Sequence, residues 1–116
     1  NGDGGASRDF VYVADVVRHL LAAMDRMAAA AARGERAGAE VFNVCTSRPT
    51  TILELATIIR GLAGSDSPIT HGPGRAGDIR LSLGDPAKAR RLLGVTAETK
   101  VEDGLRATLN SLPTPD

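Results

Sequence analysis

Aromatic residues are scarce: the chain of 116 residues has no tryptophan, one tyrosine (Tyr12) and two phenylalanines (Phe10 and Phe42). With so few flat faces for bases to stack on, a nucleic-acid module is disfavoured. Formal net charge is zero, 14 basic residues against 14 acidic, so no overall field draws the chain to nucleic acid or to an anionic membrane. Cys45 is the only cysteine, which excludes an internal disulfide and points to a cytoplasmic setting. No apolar run reaches membrane-spanning length, and no signal peptide is visible.

Catalytic chemistry is thin as well. His19 sits in a helical pattern and His71 in a loop, with no ligand cluster around either, so no metal site is expected. Tyr12 is followed four positions later by Val16, so there is no Tyr-x-x-x-Lys pair for proton transfer. A dinucleotide site needs a strand, then a glycine-rich turn, then a helix. Gly2, Gly4 and Gly5 precede a strand instead, so no cofactor is expected in this chain. Cys45, in an apolar stretch without a neighbouring histidine, reads as a small buried hydrophobe rather than a nucleophile. No residue here is assigned a catalytic role.

What is present is a sequence of α/β type, mostly helical with a few short strands. Gly2 to Ser7 reads as a turn, and Asp9 to Val13 as a short strand. From Ala14 to about Arg33 the spacing is helical, with Val13, Val17, Leu20, Met24 and Met27 on one face as core scaffold and Gly34 as the stop. Glu35 to Glu40 is a polar loop. Val41 to Cys45, apolar on both faces, reads as a strand inside a sheet. Thr51-Ile52-Leu53-Glu54 is a capping-box pattern that opens a helix to about Leu62, ended by Gly64. Ser65 to Pro73 is a loop with one extended segment around Ile69 to His71, and Leu81 to Leu83 is a further short strand. Asp85 as N-cap and Pro86 at the first helical position start a helix through Leu93 that Gly94 closes. Thr99 to Glu102 repeats the capping-box pattern. The helix it opens has Val101, Leu105, Leu109 and Leu112 on one face and ends at Pro113 and Pro115.

Two stretches carry the positive signal. Gly74-Arg75-Ala76-Gly77-Asp78-Ile79-Arg80 sets two glycines, two guanidiniums and a carboxylate in one turn. Such a turn lets Arg75 and backbone amides approach a phosphate, while Asp78 accepts hydrogen bonds from a ribose or base. Near the N-terminus, Arg8 and Asp9 stand at the mouth of the strand that feeds the long helix, and Arg8 and Arg75 suit a clamp on one diphosphate. Only Lys88 and Lys100 are lysines, so arginine dominates the cations. The plainer reading of Arg8 is a surface ion pair with Asp9 or Asp15, and Asp9 and Asp15 read as structural caps.

These motifs resemble a known family. Gly2-Asp3-Gly4, then Arg8-Asp9-Phe10-Val11-Tyr12-Val13 and Asp15-Val16-Val17, are similar to the Gly-Asp-Gly…Arg-Asp-Phe-x-x-Val-x-Asp segment of the NAD-dependent epimerase/dehydratase family, the extended short-chain dehydrogenase/reductases. The likeness runs on in order through Phe42-Asn43-Val44, Ile52 to Ala56, Arg75-x-Gly77-Asp78, Asp85-x-x-Lys88-Ala89, Leu93-Gly94 and Gly104-Leu105. It is strongest to UDP-sugar 4-epimerases and related nucleotide-sugar enzymes. Where the family commonly has Gly-Thr-Gly after Phe-Asn-Val, this chain has Cys45-Thr46-Ser47.

The resemblance implies that residues 1–116 are the C-terminal, substrate-binding part of an extended Rossmann-type enzyme. Arg8 and Arg75 would bind the nucleotide diphosphate of a UDP- or dTDP-sugar, and Asp78 its ribose. NAD, its glycine-rich loop and the Tyr/Lys pair would belong to an N-terminal Rossmann half that the chain lacks, so no turnover is expected in isolation. A strand at Val41 to Cys45 would extend that half's sheet, and without it the unpaired edges would seek another copy, giving a homo-oligomer. Two other readings are a stand-alone nucleotide-diphosphate binding module and an assembly domain without ligand.

Overall fold

Three short strands meet around Ser7–Asp9 (β1), the centre of a small sheet in a computed structural model that describes residues 2–36 and 38–113. Pro49–Thr51 (β2) runs antiparallel to β1 on one side, and Leu81–Ser82 (β3) runs parallel to it on the other. Four helices accompany this sheet among the described residues: Val13–Ala32 (α1), Ile52–Leu62 (α2), Ala87–Leu93 (α3) and Val101–Asn110 (α4). The architecture is the expected α/β type. α1 packs against α3, and α2 packs against α4 and β2. Asn1 and Pro115, the latter expected to help end the last helix, lie outside the described residues.

Local chemistry explains most of these elements. Thr51 and Glu54 form both arms of the capping box: the Glu54 amide donates to the Thr51 hydroxyl at 3.1 Å, and the Thr51 amide donates to the Glu54 carboxylate at 2.7 Å. Those bonds hold the Glu54 carboxyl below its usual range, the Thr51 amide contributing most. Gly94, left-handed at φ 70°, closes α3 as expected, since that conformation costs glycine nothing. Gly4 is also left-handed (φ 74°), and a Cβ there would come within 2.9 Å of Leu53 Cβ, so only glycine lets the N-terminal turn sit on α2.

Several boundaries differ from the sequence expectation. The first strand ends at Asp9 rather than beginning there, because the pairing partners of β1 are Pro49–Thr51 and Leu81–Ser82. Phe10, Val11 and Tyr12 instead line an apolar cleft with Leu55, Val101 and Leu105. β2 falls where no strand is expected from sequence and Thr51 is expected only as a helix cap, and Ile69 to His71 and Leu83 belong to no strand. α3 starts at Ala87, after Pro86, although the Asp85 carboxylate does accept from the Ala87 amide at 2.8 Å. The second capping box does not form. Lys100 is the N-cap of α4, and the Thr99 amide donates to Asp15 Oδ2 at 3.0 Å.

Val41 to Cys45 is not a strand, because no strand among the described residues lies beside it to complete a hydrogen-bonded ladder. α1 departs further from expectation. The helix spans the expected residues, but its apolar face points outward, with Val13, Leu20, Met24 and Met27 each more than half exposed. The face turned inward carries Asp15 and His19, both fully buried. Only Cys45, Ala89 and Ala97 are buried apolar residues among those described, so α1 meets little apolar core among the described residues. The radius of gyration, 18.2 Å, agrees. A compact domain of this length has about 13 Å. No helix among the described residues is long and apolar enough to cross a membrane.

Candidate functional site

β1 delivers Arg8 to the place where the 74–80 turn returns. Parallel pairing sets Ser7 beside Leu81 and Arg8 beside Ser82, and the Ser7 amide donates to Arg80 O at 2.8 Å. The other end of the loop is tied to the N-terminal turn: the Gly2 amide donates to Gly72 O, and His71 Nδ1 donates to Gly2 O, both at 2.9 Å. Arg80 reaches Asp3 Oδ2 with two nitrogens at 3.2 Å. The Gly5 amide, then Arg80, hold the Asp3 carboxyl below its usual range. The sequence alone offered no signal for Asp3 and Arg80 as a pair, because they lie 77 positions apart.

Within this frame Arg8 is fixed by three bonds. Nη1 donates to Ser7 O at 2.9 Å and to Ile79 O at 2.6 Å, and Nη2 donates to Asp78 Oδ1 at 2.7 Å. A guanidinium has five N–H groups. Two of the five therefore make no bond to the described residues and can meet an anion. The plainer alternative, an ion pair of Arg8 with Asp9 or Asp15, is replaced by the pair with Asp78. Asp78 closes a turn by donating its amide to Arg75 O at 3.3 Å, with the left-handed Gly77 before it. Arg75 thus shares the turn with Asp78, and its guanidinium makes no hydrogen bond among the described residues. Arg8 and Asp78 are in direct contact; the Arg75 side chain makes no hydrogen bond or ion pair with either.

Asp9, read as a cap, is the pin of the neighbouring loop. Its carboxylate accepts from the Thr46 amide (2.9 Å), the Thr46 hydroxyl (2.6 Å) and the Ser47 amide (2.8 Å). Burial pushes this carboxyl up, but the bonds from Thr46, Ser47 and the Gly84 amide together hold it below its usual range. Ser47 is held left-handed at φ 58°, where the resemblance places a glycine. Cys45 lies against Gly84, whose hypothetical Cβ would come within 2.6 Å of Cys45 Sγ. Burial first, then Asp9 and Asp85, push the Cys45 thiol up, as befits an unreactive buried side chain.

Asp15 and His19, both missed as a buried pair, join α1 to the segment before α4. The Asp15 carboxylate accepts from Arg18 and from the Thr99 amide, and His19 Nδ1 donates to Asp15 O at 2.7 Å. Arg48 donates to Ala97 O, Glu98 O and Thr99 O at 3.1–3.3 Å, fixing the same segment from the other side. These contacts are structural. The described residues do not form the strand, glycine-rich turn and helix order of a dinucleotide site. β1 leads into α1 through Phe10, Val11 and Tyr12 without a glycine, and the Gly74–Gly77 turn leads into a strand rather than a helix.

Comparison with known proteins fits this geometry. Residues 1–45 match the family model of the NAD dependent epimerase/dehydratase family. UDP-glucose 4-epimerase of Mycolicibacterium smegmatis is 38% identical over 109 residues, covering 93% of this chain and 32% of the relative. A crystal structure of UDP-glucose 4-epimerase with UDP-glucose from Thermotoga maritima aligns with TM-score 0.78 at 38% identity, over 94% of this chain and 32% of that one. The Bifidobacterium longum enzyme, in complex with NAD+ and UDP, aligns with TM-score 0.78 at 29% identity, over 95% and 31%. Over nearly its whole length the chain is similar to part of NAD-dependent epimerase/dehydratase enzymes. It spans about a third of the length of the curated relatives it matches, 32% and 30% for two of them.

Proposed function

We propose that this chain is the nucleotide-sugar binding part of an NAD-dependent sugar epimerase or dehydratase acting on a UDP- or dTDP-sugar in the cytoplasm. Arg8 and Arg75 hold the diphosphate, and Asp78 accepts from the ribose. The observation that carries the reading is the Arg8–Asp78 contact, which sets a partly free guanidinium and a carboxylate side by side beneath the turn that bears Arg75. A diphosphate asks for two planar cations on separate elements, which β1 and the turn provide. Similarity to UDP-glucose 4-epimerases supports the substrate class.

Chemistry in this reading belongs to a larger assembly. NAD would be held by a Rossmann half outside these residues, and the Tyr/Lys proton-transfer pair would come from there too. The chain with added NAD is therefore expected not to interconvert UDP-glucose and UDP-galactose. Calorimetry tests the binding role. UDP-glucose is expected to bind more tightly than uridine, and Arg75→Ala is expected to abolish that preference. Turnover by the chain alone, or equal affinity for uridine and UDP-glucose, contradicts the reading.

A further inference from the structure

The turn that carries Arg75 and Asp78 stands clear of the rest of the fold. Residues 73–79 are all exposed, and a Cβ built on Gly74 or Gly77 would meet nothing within 4 Å. Packing therefore does not decide where Arg75 sits. Apart from the contacts with Arg8, the turn is held at its two feet. Pairing of β1 with β3 sets the backbone of the second foot, where the Ser7 amide donates to Arg80 O. Both terminal nitrogens of Arg80 then donate to Asp3 Oδ2 at 3.2 Å, while Asp3 Oδ1 accepts from the Gly5 amide at 2.8 Å. This locks residues 2–5 to Arg80, and residues 2–5 carry the first foot. The Gly2 amide donates to Gly72 O, and Gly2 O accepts from His71 Nδ1, both at 2.9 Å. Glycine leaves room for these ties. A Cβ at Gly5 would come within 3.2 Å of Arg80 Nη2 and 3.1 Å of Asp3 Oδ1.

We propose that residues 2–5 are a frame that places Arg75 relative to Arg8, with Asp3, Arg80 and His71 as positioning residues for a diphosphate. Their role rests on the diphosphate binding proposed above for Arg8 and Arg75. None of the three has to touch the ligand. The Asp3–Arg80 pair is 66% and 75% exposed, and such a pair adds little to folding. Its effect lies in what it spares the ligand: a turn already held in place loses less freedom when a phosphate arrives. Two arginines on separate elements grip one diphosphate well only when the span between those elements is fixed. Residues 2–5 fix it, because they lead into β1 and Arg8 at one end and hold both feet of the Arg75 turn.

The test pairs a measurement on the free chain with one on its complex. In the free chain, NMR relaxation is expected to give the Arg75 and Asp78 amides order parameters of about 0.8. Asp3→Asn, which keeps an acceptor for the Gly5 amide and removes only the charge, is expected to lower them by about 0.1. Adding His71→Ala, which frees the other foot, is expected to bring them below about 0.6. Calorimetry then follows UDP-glucose, with uridine as comparator. Asp3→Asn and Arg80→Ala are each expected to weaken UDP-glucose about threefold, and together no more than either alone, because the pair acts as one unit. In both variants uridine affinity and melting temperature are expected to stay unchanged. Asp3→Asn with His71→Ala is expected to weaken UDP-glucose about tenfold. Unchanged order parameters in Asp3→Asn, or a turn already mobile in the parent chain, overturn the proposal. So does a matching loss of uridine affinity or a fall in melting temperature, either of which would make the pair a structural prop. If Arg75→Ala weakens UDP-glucose while Asp3→Asn does not, the frame is overturned and the binding role stands. If Arg75→Ala has no effect, the binding role itself is overturned, and the frame's part in binding with it.

Discussion

Arg8 Nη2 and Asp78 Oδ1 lie 2.7 Å apart although 70 positions separate the two residues in sequence. Parallel pairing of β1 with β3 creates this meeting by bringing the turn back to the strand end. The pair is partly solvated, with side-chain exposures of 29% and 44%, so its Coulombic contribution is small. Its role is orientation. Asp78 and Ile79 O fix the plane of the guanidinium, leaving its remaining N–H groups directed by the protein.

The two partners are therefore predicted to differ in their effect on stability. Arg8→Ala removes bonds to two carbonyls as well as the ion pair and is expected to cost roughly 1–2 kcal/mol. Asp78→Ala is expected to cost below about 1 kcal/mol. Urea unfolding of both variants measures this; equal losses would mean that the carbonyl bonds contribute nothing.

Ser47 is predicted to respond to its backbone conformation. A left-handed residue other than glycine costs about 1 kcal/mol, part of which glycine returns as unfolded-state entropy. Ser47→Gly is expected to be neutral or to stabilise by up to about 1 kcal/mol. Ser47→Val, β-branched at φ 58°, is expected to destabilise by more than about 1 kcal/mol. Thermal melts decide it, and a destabilising glycine would assign the serine side chain a role that the structure does not give it.

Asp9 predicts a pH dependence. Its folded carboxyl titrates below the unfolded one, so its contribution is complete above the unfolded value and is lost as pH falls through the folded value. The window lies below about pH 4. Asp9→Asn is expected to lower stability at pH 7 and to flatten the decline between about pH 4 and pH 2. Denaturant midpoints across that range measure it; an unaltered slope would assign the acid loss to Asp3 or Glu54 instead.

Thr99 and Asp15 show what could be read from the sequence and what could not. Thr99-x-x-Glu102 has the local pattern of a capping box, yet the Thr99 amide goes to Asp15 Oδ2, 84 positions away, while Glu102 pairs with Arg106. Thr99→Ala is expected to be nearly neutral, whereas Asp15→Ala, which removes a buried carboxylate and strands the part-buried Thr99 amide, is expected to cost about 2–4 kcal/mol. Near-equal losses in chemical denaturation would restore the cap.

Features set by local chemistry were legible: the Thr51/Glu54 box, the Gly94 stop and the extent of α1. Arg8, Arg75 and Asp78 were named from residue type and family likeness, although only the β1–β3 pairing reveals which two of them touch. Illegible features depend on distant partners. β2 exists because β1 lies beside it, and Val41 to Cys45 is not a strand because no described strand pairs with it. The direction in which α1 turns its stripe was hidden for the same reason. A helical pattern marks the apolar face but not whether the rest of the fold to cover it is present.

The most direct test of the central claim is calorimetric titration of UDP-glucose, with uridine as comparator, into a graft in which this chain replaces the matched third of the Mycolicibacterium smegmatis UDP-glucose 4-epimerase, and into its Arg8→Ala and Arg75→Ala variants. The account predicts that each substitution weakens UDP-glucose binding at least about tenfold, as loss of a charge-assisted contact should, and leaves uridine binding unchanged. Undiminished UDP-glucose affinity in both variants would contradict it, leaving the arginines as surface ion-pair partners and the diphosphate to be bound elsewhere.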